Sequence, residues 1–135
     1  MMRTFRAILS GRNEVPPVRT QAFGTAIFKL SRDGRKLFFV LTVRNISRVT
    51  QAHIHLGRRG QNGPVVAFLF GPNKFGISVR RGVVRGTLTA ADLVGPQRGM
   101  TLRSLVNEIK RGNTYANVHT IQHPDGEIRG QIKKA

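Results

Sequence analysis

The chain has no cysteine and no tryptophan, one tyrosine, and six acidic residues against 23 lysines and arginines. Without cysteine there are no disulfides, no thiolate metal ligands and no cysteine nucleophile. No apolar run is long enough to cross a membrane as a helix. The start, Met1-Met2-Arg3-Thr4-Phe5-Arg6, has neither the apolar stretch nor the small-residue cleavage site of a signal peptide. As written, the chain therefore reads as cytoplasmic unless a leader has been removed. Few aromatic residues are present, and most are phenylalanines at apolar strand positions, so no platform for stacking bases is evident. Acidic pairs spaced for general acid–base work are missing too. A Ser-His-Asp hydrolase would need Ser31, Ser47, Ser78 or Ser104 as nucleophile, and none stands in an elbow motif.

What the sequence does have is charge. The balance of 23 − 6 gives +17, a field that favours polyanions such as nucleic acid or acidic surface polymers. The basic residues are dispersed, with runs no denser than Arg58-Arg59 or Arg80-Arg81, and the scarcity of aromatic rings makes nucleic acid the less favoured partner. The bland alternative is that net charge maintains solubility.

Period-two alternation dominates the pattern. Phe5, Ala7 and Leu9 mark one strand. Ala22, Gly24, Ala26, Phe28 and Leu30 mark a second, and Leu37, Phe39, Leu41 and Val43 a third. The Asp33-Gly34 step suits the hairpin turn between the last two. Further strands are expected at 50–56, 65–70 (buried on both faces), 83–88, 114–120 and 127–133. Thr89-Ala90-Ala91-Asp92 has capping-box spacing for one helical turn. Leu102, Leu105, Val106 and Ile109 fall on one helical face between a Thr101 N-cap and a Gly112 stop. The expectation is one all-β domain over 1–135: an antiparallel Greek-key β-sandwich of about 7–8 strands with a short helical insertion at about 101–111.

All four histidines sit in two short runs, His53-Ile54-His55 and His119 with His123 beyond it. Two histidines at i, i+2 on a strand project from one face, roughly 7 Å apart. Ala52, Ile54 and Leu56 take the core side, which puts His53 and His55 on the outer face; Ala116 and Val118 do the same for His119. Three such rings meet only if the two strands are neighbours. Three imidazoles with an open position suit one copper or zinc ion. His123 is a further candidate ligand, Glu127 or Asp125 could orient a ring from behind, and the loop carrying Gly57, Gly60, Asn62 and Gly63 would cover the site. The competing reading is that the rings merely hold down a loop.

The ordered motifs Asn13-Glu14-Val15-Pro16-Pro17-Val18, Ala52-His53-Ile54-His55-Leu56-Gly57, Asn62-Gly63-Pro64-Val65-Val66, Tyr115-Ala116-Asn117-Val118-His119-Thr120 and Gly126-Glu127-Ile128-Arg129-Gly130-Gln131 resemble those of the CHRD (chordin) domain family over roughly residues 4–133. The resemblance implies a β-sandwich module that is often secreted or at the cell surface and whose biochemical role is largely unassigned. The His-x-His strand is also distantly similar to copper/zinc superoxide dismutase, whose dinuclear site needs more histidines than the four here and whose fold carries a disulfide. Only a mononuclear site survives that comparison. Together these readings favour a non-enzymatic binding module with one histidine-bound copper or zinc ion. A basic polyanion-binding module and a mononuclear metalloenzyme are the alternatives. Glu14 and Glu127, scarce acids in a basic chain, are expected to pair with arginine or accept backbone N–H groups, with Arg129 the natural partner.

Overall fold

A computed structural model describes residues 3–135; the Met1-Met2 start lies outside the described residues. The strands are β1 (Thr4–Ser10), β2 (Phe23–Leu30), β3 (Leu37–Leu56), β4 (Val65–Phe70), β5 (Ile77–Leu88), β6 (Thr114–Thr120), β7 (Ile128–Gln131) and β8 (Lys133–Lys134), with helix α1 at Leu102–Lys110. The all-β expectation holds, and so does the helical insertion. The strands do not divide into two sheets as a sandwich would. They form one sheet ordered β2-β1-β7-β6-β3-β4, and β3 pairs with β2 as well, which closes the sheet into a barrel. Strands β5 and β8 add to it by pairing β3 and β1.

The closure depends on β3, twenty residues long where two separate strands were expected. Its inward positions start at Leu37, Phe39, Leu41 and Val43, then step by three through Ile46, Val49 and Ala52 before Ile54 restores the period of two. Asn45 and Arg48 take left-handed φ values of 54° and 57°. The β3–β5 register shifts between Ile46 and Val49. Such bulges insert unpaired residues and bend the strand without ending it. The first half therefore pairs with β2 and β5 and the second with β6 and β4. One bent strand thus carries the sheet around on itself.

Alternating large apolar residues from β1, β2, β3, β6 and β7 fill the interior, each burial contributing about 1.5–3 kcal/mol. Leu102, Leu105, Val106 and Ile109 of α1 join the same core. Strand β5 begins at Ile77, earlier than the alternation at 83–88 suggested, and the closing segment breaks at Ile132 into β7 and β8. Strand β4 is not buried on both faces, because Phe68 is 41% exposed. The Thr89–Asp92 capping box forms around a single 3₁₀ turn.

At the start of α1 the Thr101 side chain accepts a hydrogen bond from the Ser104 amide at 3.2 Å. Thr101→Ala should lower unfolding free energy by about 1 kcal/mol, read as a reduced urea midpoint at unchanged slope. An unchanged midpoint would mean that tertiary packing alone holds this helix.

Candidate metal centre

Strands β3 and β6 are neighbours, with Gln51 opposite His119, His53 opposite Asn117 and His55 opposite Tyr115. Since Ala52, Ile54, Ala116 and Val118 face the core, this register puts His53, His55 and His119 on one patch of the barrel's outer face. One ring nitrogen of each lies within 4.8 Å of the others. Although outward from the barrel, the rings are only 3%, 7% and 7% exposed. Phe68 packs edge-on against His53 at 4.5 Å. The 57–64 loop and the turn before Gly126 reach His55 and His119 through their carbonyl groups.

The hydrogen bonds define the chemistry. His55 Nδ1 donates to the Gly63 carbonyl at 2.9 Å and His119 Nδ1 to the Pro124 carbonyl at 2.7 Å. His53 Nε2 donates to Gln51 Oε1 at 3.1 Å. A neutral imidazole has one N–H, so these partners assign the tautomers and leave His55 Nε2, His119 Nε2 and His53 Nδ1 as bare lone pairs. Asn117 Oδ1, itself an acceptor, faces the first two at 2.8 and 3.0 Å. A half-turn of that carboxamide would offer both rings an N–H. His53 Nδ1 has no such relief, being buried without a hydrogen-bond partner among the described residues.

Burial pushes all three imidazoles below their ordinary range. His53 falls to about 3, from desolvation first and then from the neighbouring rings. Desolvation also dominates at His55, against the Gly63 bond, and at His119, against the Pro124 bond and the Asp125 charge. Neutral rings at pH 7 are what metal ligation needs.

The other expected site residues divide. His123 is not in the cluster; its carbonyl accepts from the Thr120 and Gly126 amides and shapes the turn. Asp125 is exposed and acts on His119 only through its charge. Glu127 is buried and accepts hydrogen bonds from Thr20, Thr120 and Gln122, with none to a ring and none from an arginine. In the loop, Gly63 supplies its carbonyl to His55, and a Cβ on Gly57 would lie 2.8 Å from the Tyr115 ring. Asn62 accepts from Arg129 and donates to the Val15 carbonyl, while Gly60 sits farther out. Arg129 also donates to the Arg58 and Gln61 carbonyls, so its guanidinium holds the loop in place.

Sequence reasoning passed over Asn117, Gln51 and Tyr115 as participants, although alternation already put all three on the histidine face. Glu14 is a different case. It is buried, raised to about 7 by desolvation despite the Arg129 charge, and has one oxygen without a hydrogen-bond partner. A Cβ on Gly126 would lie 2.6 Å from Glu14 Oε2 and 2.8 Å from Asn117 Nδ2, so glycine lets the two side chains crowd together behind the rings.

The family model of the CHRD domain matches residues 5–132, nearly the whole chain. No curated protein matches it.

These shifts set a pH dependence for the metal-free protein. Below about 6.5 the unfolded rings take up protons that the folded rings refuse, so the histidine contribution falls as pH drops from 6.5 toward 3. Glu14 acts oppositely, because its folded carboxyl keeps a proton that the unfolded one loses, and its contribution falls as pH rises from about 4.5 to 7. Glu14→Gln should therefore raise the melting temperature more at pH 8 than at pH 5. Equal shifts at both values would mean that Glu14 titrates normally in the fold.

Proposed function

The chain belongs to the CHRD domain family, and we propose that it is a binding module whose three-histidine cluster holds one copper or zinc ion. A single observation carries this reading: three buried, neutral imidazoles bring one ring nitrogen each within 4.8 Å of the others, and one nitrogen of each ring is committed to an oxygen acceptor. His53 Nδ1, a buried acceptor without a hydrogen-bond partner among the described residues, is costly in a metal-free protein. A divalent cation turns that cost into coordination. His53, His55 and His119 would be the ligands, and neutral nitrogen donors suit zinc and copper better than calcium or magnesium.

The orienting part expected of Glu127 and Asp125 falls instead to the Gly63 and Pro124 carbonyls and the Gln51 carboxamide. Asn117 Oδ1 stands beside two of the three donor nitrogens, where an incoming water or substrate would otherwise approach. That crowding and the burial of the rings favour a structural or storage role for the ion over catalysis.

Untagged protein dialysed against zinc or copper and then against buffer should retain one equivalent of metal by mass spectrometry, and His53→Ala/His119→Ala should retain none. Bound metal should also raise the melting temperature of the parent, since a ligand at a thousand times its Kd adds about 4 kcal/mol of stability. Retention of less than a tenth of an equivalent by the parent, or equal retention by the variant, would overturn the reading.

A further inference from the structure

A second chemistry lies on the same outer face, two strands away. Along β7 and β8 the alternating positions Arg129, Gln131 and Lys133 point outward, and Arg6 does so on β1. Together with Lys134 and with Arg59 from the 57–64 loop, they line a cavity of about 340 Å³. Five of its lining residues are cationic, and no acidic residue is in its lining among the described residues. Arg6 and Lys133 stand directly opposite each other in the β1–β8 ladder. Like charges placed so repel, a local cost that an anion between them relieves. Arg129 forms the inner wall and is only 2% exposed; its guanidinium is fixed by the loop hydrogen bonds and lies 3.5 Å from the centroid of Tyr115. A guanidinium fixed at the inner wall, with exposed lysines and arginines around it, is suited to an oxyanion that carries several charges.

We propose that this cavity is an anion site for clustered phosphate groups, of the diphosphate or polyphosphate type. The volume admits a small molecule but not a folded partner. The proposal does not depend on the metal reading, since none of its lining residues is a histidine. It does place the anion next to the metal cluster: Arg129 lies over Tyr115, and Tyr115 stacks on His55 at 4.7 Å with the rings 7° from parallel.

The test separates a built site from the general field of a +17 chain. Calorimetric titration with inorganic pyrophosphate at fixed ionic strength compares the parent, Arg59→Ala/Lys133→Ala, and Arg80→Ala/Arg81→Ala. The last pair lies exposed on β5 outside the lining and removes the same charge. The cavity variant should bind at least about tenfold more weakly and the β5 variant within about twofold of the parent, each lost cation having made a charge-assisted contact. Arg59→Glu alone, a loop change outside any strand, should reproduce the loss if the double variant folds poorly. Long-chain polyphosphate as a second titrant distinguishes a free small anion from a polymer: equal affinity per phosphate means the former, tighter binding the latter. Equal losses in the cavity and β5 variants, or no pyrophosphate binding by the parent at millimolar concentration, would overturn the proposal.

Discussion

Three buried imidazoles, with one ring nitrogen of each within 4.8 Å of the others and His53 Nδ1 without a hydrogen-bond partner among the described residues, are the constraint around which the outer face of this barrel is organised. The sheet register brings the rings together, but their orientation comes from oxygen acceptors supplied by three separate segments: the Gly63 carbonyl, the Pro124 carbonyl and the Gln51 side chain. Each acceptor fixes a tautomer and so sets which ring nitrogen carries the lone pair. The loop that supplies Gly63 is held in turn by Arg129 and by Tyr115, whose hydroxyl accepts from the Gly63 amide at 3.1 Å. The glycines at 57 and 126 permit close approach to Tyr115 and to Glu14 and Asn117. Gly57, Gly63, Tyr115, Gly126 and Arg129 therefore all help to position or enclose this cluster.

Those positions form a continuous surface. Moving across the strands from β3 to β1, the outer face carries imidazoles, then Tyr115 and Asn117, then Arg129 and Gln131, then Arg6 beside Lys133. The order follows from closure, because a barrel makes β7 the neighbour of both β6 and β1. A neutral, buried histidine cluster thus lies about two strand spacings, ~10 Å, from a cationic cavity at the surface. The Arg129–Tyr115–His55 stack spans the gap between them.

Period-two alternation revealed most of this arrangement in the sequence. It put His53, His55 and His119 outward from Ala52, Ile54, Ala116 and Val118, and the antiparallel pairing of β3 with β6 brings them together. The helix was equally legible, since its apolar spacing and its Thr101 cap are local features. Barrel closure was not, because it depends on bulges at Asn45 and Arg48, neither of them the glycine that would advertise a left-handed backbone. The cavity also escaped notice, since Arg6, Arg59 and Lys133 are far apart in sequence and only pairing brings them together. Acidic residues were expected to orient the rings, whereas His55 and His119 meet backbone carbonyls and His53 the Gln51 side chain, and sequence does not show where a carbonyl points.

The proposed metal site consists of particular ring nitrogens, and these are observed directly by long-range ¹H–¹⁵N correlation of the histidine rings in the metal-free protein at pH 7, repeated with one equivalent of zinc. Neutral rings are expected, protonated on Nδ1 at His55 and His119 and on Nε2 at His53, with the three remaining nitrogens shifting together when zinc is added. Charged imidazolium rings, the opposite tautomers, or a spectrum indifferent to zinc would contradict the proposed site.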